Sequence, residues 1–334
     1  MTDGSGTSSD PLVNARPGSL AEQLLLSRMD TWPEPSQMPL ILDSDIGSEP
    51  DDALALAVAA GLPSLELVLT SDERDGDRAR LARYLLDLLG RTDVPVVAGR
   101  DLGNRFNWAA ETLIPGYVPA QPTDIAAAVS KVLDRHDGQV GWIGLGPMSN
   151  LAELLTVSPA LSAKLVVTQQ EAAFRVFPDS GGQNVIMDPS AARTILDADL
   201  RPWIVPGDIT FHVTTVITEE TTEYKVIAHS DDPARVLLRR HMDEWFDDVV
   251  PGFGLHGLLT LSLGIGMPFL TATPANISLD EADRIQSGSS AAFMVTSADY
   301  SSFRKWLVSR LDQIASISSH HPAAEYNPRT PRGE

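Results

Sequence analysis

The sequence predicts an α/β protein built as a single doubly wound, mostly parallel sheet with helices on both faces. Three observations carry that expectation. Short apolar runs alternate with segments of helical spacing along most of the chain. The 334 residues, 43% of them hydrophobic, suffice to bury one large core. A knot of acids follows the first apolar run, and open parallel sheets bind ligands beyond the carboxyl ends of their strands.

Residues 1–37 are rich in Ser, Gly, Pro and Asp and are expected to form a disordered or short N-terminal arm, in which "SLAEQLLLSRM" has the spacing of one short helix. The folded unit is expected over 38–317, followed by a disordered tail at 318–334, "SSHHPAAEYNPRTPRGE". Within the unit, "PLILD" (39–43), "LELVLT" (65–70), "VPVVAG" (94–99), "VGWIGLG" (140–146), "KLVVT" (164–168) and "RPWIVPG" (201–207) read as strands. Helical spacing fills the intervals at about 51–60, 77–89, 123–135, 149–157, 189–197 and 232–249. Strand followed by helix, repeated, implies right-handed crossovers and a parallel sheet.

Composition narrows the function. With 25 Lys and Arg against 45 Asp and Glu, the formal charge is −20, which repels phosphate backbones and anionic lipid surfaces and argues against nucleic acid polymers as partners. Cysteine is absent, which removes disulfides, thiolate metal sites and thiol nucleophiles and suits a reducing compartment. No basic and apolar leader and no membrane-spanning run is visible, so a soluble cytoplasmic protein is the expectation.

The informative stretch is "LILDSDIGSEPDDALALAVAAG" (40–61), with five carboxylates between Asp43 and Asp52. At roughly 4 Å and an effective dielectric near 20, each uncompensated like-charged pair costs about 4 kcal/mol. Asp51 and Asp52 fall in the first turn of a helix opened by Pro50, where acids complement the helix dipole without any function. Asp43 and Asp45 have no such reason to be there. The set reads as a cation or polyhydroxyl site, and oxygen ligands without Cys or a His pair favour Ca²⁺ or Mg²⁺. An EF-hand loop starting at Asp43 is excluded, because its sixth and twelfth positions are Ser48 and Leu54 and a strand precedes it.

This stretch resembles the N-terminal signature of the nucleoside hydrolases, an apolar strand, Asp-x-Asp, a Gly turn and Asp-Asp opening an Ala/Leu helix, with a turn two residues longer than the family's commonest form. "DVPVVAG" (93–99), "GWIGLGPMSNLAELL" (141–155) and "NVIMDPSAARTIL" (184–196) resemble later family segments, so that the similarity runs from about residue 38 to about 270. The resemblance implies a single doubly wound domain that hydrolyses the N-glycosidic bond of purine or pyrimidine nucleosides. It also implies Ca²⁺ as cofactor and a homodimer or homotetramer.

Carried across by that resemblance, the ion's ligands are Asp45, Asp52, the carbonyl of Leu145 and position 257, which here is Gly257. Asp45 takes the proton from a metal-bound water, Asp51, Asn184 and Asp72 hold ribose hydroxyls, Asp43 orients Asp45, and His256 is the acid for the leaving base. The chain departs from the family at three places. No carboxylate follows His256, Asp72 stands where the family has Asn, and Gly182 replaces a Glu ahead of Asn184. Asp72 and Glu49 are candidates to make up the missing charge. Base contacts are expected from the loops at 100–122 and 208–256.

Other groups read as structural. Asn150 in "GLGPMSNL" is expected to brace its loop rather than mark a dinucleotide site, and "HMDEWFDDVV" (241–250) reads as an amphipathic helix face. Trp108 and Trp245 suit core packing. Two alternatives remain at this point. One is a ribosyl-binding or redirected relative with a degraded metal site. The other is a Mg²⁺-dependent phosphatase with an Asp nucleophile, which lacks a clear Lys partner.

Overall fold

The computed structural model describes residues 16, 18–21, 32–104, 108–171 and 182–318. The expectations for the N-terminal arm at 1–15 and 22–31, including most of its short helix, and for the tail after 318 lie outside the described residues.

In chain order the first half contains β1 (Leu40–Ser44), α1 (Asp51–Ala60), β2 (Leu65–Thr70), α2 (Asp77–Leu88), β3 (Val96–Ala98), α3 (Ile125–Arg135), β4 (Val140–Gly144) and α4 (Ser149–Val157). The second half contains β5 (Leu165–Glu171), α5 (Gln183–Met187), α6 (Pro189–Asp197), β6 (Trp203–Pro206), α7 (Gly207–Thr210), α8 (Thr222–Ala228), α9 (Pro233–Asp248) and α10 (His256–Gly264). It closes with β7 (Leu270–Leu279), β8 (Ile285–Ser287), β9 (Ser290–Ala298) and α11 (Tyr300–Ser318). The sheet runs β3-β2-β1-β4-β5-β6-β9-β7-β8, parallel from β3 through β9, with β7 and β8 antiparallel at the far edge.

The expected doubly wound α/β fold is what the chain adopts. Side-chain alternation along the strands assigns the two faces. Leu40 and Leu42 of β1, with Val68, Val96 and Ile143, face α1, α2, α9, α10 and α11. Ile41, Leu67, Leu69, Val97 and Trp142 face α3, α4 and α6. β1 is paired on both sides, by β2 and β4, and all its residues are buried, which is why it reads as a continuous apolar run. α1 is buried along its whole length and correspondingly small and apolar.

The six strands and six main helices expected from periodicity sit within a residue or two of their places, except that β5 runs three residues past its expected end. The far edge was not expected. In "LTATPANISL" (β7) small polar residues, a proline and only two buried positions weaken the alternation, as strands near a sheet edge allow. α11 does carry helical spacing, with Phe303, Trp306, Leu307, Leu311 and Ile314 buried. The stretch at 241–250 lies mostly on α9 and buries His241, Met242 and Trp245, as an amphipathic face should. Among the described residues no helix is long and apolar enough to cross a membrane.

α11 is fastened to α8 by a buried ion pair, in which Arg304 donates from Nε and Nη2 to the two Glu223 carboxylate oxygens, each at 2.7 Å. Both side chains are at most 5% exposed. Arg304→Met strands a buried carboxylate and is expected to lower the unfolding free energy by about 3–5 kcal/mol in urea titrations. Adding Glu223→Leu is expected to recover most of that loss.

Candidate active site

The strand order reverses direction between β1 and β4, and the crevice at such a switch point lies beyond their carboxyl ends. The acids leave β1 at this point. Asp43, the penultimate β1 residue, turns toward α4 and accepts a hydrogen bond from Asn150 Nδ2 at 2.9 Å. The same amide donates to the Thr70 carbonyl at 3.0 Å, so Asn150 braces the ends of β1 and β2. Burial pushes the Asp43 carboxyl up to about 7, with Asn150 pulling it down and Asp45 pushing it further up.

The turn depends on Gly47. Its φ is +108°, and a Cβ there would come within 2.3 Å of the Trp108 ring. Trp108 therefore packs on the acidic turn as well as on the core. Past the turn, Asp51 and Asp52 enter the first turn of α1. Ser44 Oγ donates to Asp52 Oδ2 at 2.6 Å, and the Gly257 N–H donates to Asp51 Oδ2 at 2.7 Å.

Asp43, Asp51 and Asp52 are 2%, 3% and 6% exposed, whereas Asp45 keeps part of its surface open to the crevice. Burial, reinforced by the neighbouring carboxylates, holds Asp51 and Asp52 well above the usual carboxylate range. Burial also raises Asp45, but the Arg78 guanidinium opposes the shift. The same guanidinium opposes the shift of Asp52.

On the opposite wall, Glu49 Oε1 accepts the Gly254 N–H at 2.8 Å and lies 3.8 Å from His256 Nε2. Burial moves these two in opposite senses, Glu49 up to about 7 and His256 down to about 4. The His256 ring packs against half-exposed Phe211 at a centroid distance of 4.4 Å. Asn184 opens α5 and donates to the Leu145 carbonyl at 2.7 Å and the Gln170 carbonyl at 3.1 Å. Asp72 adopts a left-handed φ of +47°, receives Asn104 Nδ2 at 3.1 Å and faces Arg78 at 3.6 Å.

The sequence-derived set Asp43, Asp45, Asp51, Asp52, Asp72, Leu145, Asn184 and His256 therefore gathers around one crevice. Ser44, Phe211, the N–H groups of Gly254 and Gly257, and above all Arg78 were not anticipated. Arg78 had one legible signal, a cation in the first turn of α2, where the helix dipole disfavours it.

The donors do not fit the divalent ion that the resemblance implies. Among the described residues no three His, Cys, Asp or Glu side chains are arranged to hold a metal. Position 257 offers an N–H where a carboxylate is needed. The Leu145 carbonyl is engaged by Asn184, and Asp52 by Ser44. A carbonyl and two carboxylates, each with a hydrogen-bonding or ionic partner of its own, fall short of the six to eight oxygens calcium takes.

Comparison with known proteins bears on the family and the fold. The profile of the family described as inosine-uridine preferring nucleoside hydrolase matches residues 40–305. The pyrimidine-specific ribonucleoside hydrolase RihA of Enterobacter sp. (strain 638) is 30% identical over 211 residues, which cover 58% of this chain and 66% of that protein. Among solved structures, the purine-preferring ribonucleoside hydrolase from Gardnerella vaginalis superposes with a TM-score of 0.69 at 19% identity, covering 84% of this chain and 99% of that one. The type III effector protein XopQ, solved in complex with adenosine diphosphate ribose, has a TM-score of 0.65 at 18% identity, with 88% and 97% covered.

The buried acids make stability pH-dependent. Between roughly pH 4 and 7 folded Asp43 keeps a proton that the unfolded chain has released, so its contribution is present at low pH and is lost as pH rises through 7. Glu49 acts in the same sense, and His256, held at about 4, in the opposite one. Asp43→Asn, which still accepts from Asn150, is expected to gain on the order of 2 kcal/mol relative to the parent between pH 5 and pH 8, read from urea unfolding at both.

Proposed function

The chain belongs to the inosine-uridine preferring nucleoside hydrolase family, and we propose that it cleaves the N-glycosidic bond of ribonucleosides to free base and ribose. The observation that carries this reading is the partly open Asp45 at the β1–β4 switch point, backed by three buried acids. N-glycosidic cleavage develops positive charge on the ribosyl ring, and acid oxygens fixed beneath the ring face that charge without reorganising.

In this reading a water attacks the anomeric carbon and gives its proton to Asp45, while the bonding electrons leave with the base. Asp51, Asp72 and Asn184 hold ribose hydroxyls, and Asp43 fixes the strand end from behind. The departing base is protonated from the His256 side. His256 is neutral near pH 7, so its N–H relays a proton that Glu49, held at about 7, carries in the same range. Phe211 provides a flat apolar face for the base. The family uses a divalent metal, which the resemblance gives as calcium. The positions the resemblance assigns to it, Asp45, Asp52 and the Leu145 carbonyl, are the donors that do not fit such an ion here.

The pyrimidine-specific name of the RihA relative makes uridine and cytidine the first substrates to try. The absence of cysteine suits a cytoplasmic setting. The phosphatase alternative falls with the family assignment. A second reading, ribosyl binding without turnover, is favoured by Gly257 standing where a ligand carboxylate is expected.

Release of base and ribose from a panel of uridine, cytidine, inosine and adenosine tests both. Turnover is expected, with Asp45→Asn lowering kcat by about 10²–10⁴-fold, the range for losing a general base. Tight ribose binding with no release from any nucleoside would select the binding protein instead.

A further inference from the structure

The acid cluster at the end of β1 already has a cation. Arg78 projects from the first turn of α2 and is 3% exposed. Its Nε donates to the Asp72 carbonyl at 2.7 Å, and its Nη1 donates to the carbonyls of Asp45 and Ile46 and to Ser48 Oγ. Its Nη2 faces the Asp72 carboxylate at 3.6 Å. The guanidinium also lies 5.5 Å from the centroid of Trp108, the ring that covers Gly47. The acidic turn is therefore clamped between a buried planar cation and an indole. A guanidinium suits this place because its fan of donors satisfies several backbone carbonyls at once and it stays charged when buried.

Position 257 changes the charge count in the same direction. A Cβ on Gly257 would lie 2.9 Å from Asp52 Oδ1 and 3.3 Å from Asp51 Oδ2, so any carboxylate there would join the cluster directly. The chain places a backbone N–H on Asp51 instead. A backbone N–H in place of a carboxylate at 257, beside a fixed guanidinium, leaves the cluster with less need of an external dication.

We propose that Arg78 is the counter-cation of this acidic strand end, that the protein binds no calcium at Asp45 and Asp52, and that it acts on ribosyl bonds without the ion. The last clause rests on the proposed hydrolysis, whereas the first two stand independently of it.

The test titrates CaCl₂ into EDTA-treated, dialysed full-length protein by calorimetry, alongside thermal unfolding with and without calcium. The parent is expected to show no saturable heat up to about 1 mM, the weak end of protein calcium sites, and no shift in Tm. Arg78→Met is expected to have a lower Tm and to recover part of it when calcium is added. Saturable calcium binding by the parent that Asp52→Asn abolishes would overturn the proposal. So would an Arg78→Met protein as stable as the parent with and without calcium. If Arg78→Met does not fold, the parent titration still decides.

Base release measured in EDTA separates the two readings. Release unchanged by EDTA supports the inference. Release that requires calcium overturns it and leaves the hydrolase standing. No release under either condition removes the hydrolase and leaves calorimetry to judge Arg78.

Discussion

Negative charge confined where water is scarce is the constraint around which this molecule is arranged. Asp43, Asp45, Glu49, Asp51 and Asp52 occupy one turn at the mouth of the central strand, and three of them are almost fully buried. Like charges at such distances repel by kilocalories per pair once the dielectric falls below that of water. The fold answers with three devices. Hydrogen-bond donors sit on the carboxylates, as with Asn150, Ser44 and the N–H groups of Gly254 and Gly257. Buried acids retain their protons toward neutrality. A guanidinium is built into the turn.

That arrangement follows from the sheet. A strand paired on both sides and covered on both faces has to be apolar until it ends, so polar chemistry begins at the first residues past the ladder. Reversal of strand order between β1 and β4 leaves a crevice there, and the loop after β4 supplies its second wall. α10 supplies the third by placing His256 and Gly257 over the start of α1. The helix dipole of α1 favours Asp51 and Asp52 in its first turn, so local and global preferences agree at these positions.

Agreement fails at Arg78, where a buried cation sits at the wrong end of a helix dipole. Such a conflict persists when other contacts overdetermine it, and here the acceptors of the acidic turn do so. Glu49 and His256 show a related tension. They lie 3.8 Å apart, yet burial raises one and lowers the other, which keeps the pair near neutral charge toward pH 7.

By itself the sequence determined the fold class, the order and bounds of the first six strands and their helices, and the family. These rest on periodicities and short motifs that do not depend on distant partners, such as "LILD" running into Asp-x-Asp and the Ala/Leu run of α1. It also determined which acids gather, because they are neighbours in the chain. Tertiary structure alone decided how their charge is balanced. Arg78 lies more than 25 residues from Asp52, and Gly257 more than 200, so no local pattern reveals that one donates into the turn while the other caps Asp51. The edge hairpin of β7 to β9 was hidden for a related reason. Exposed strands carry little alternation, and only pairing against β6 makes them a sheet.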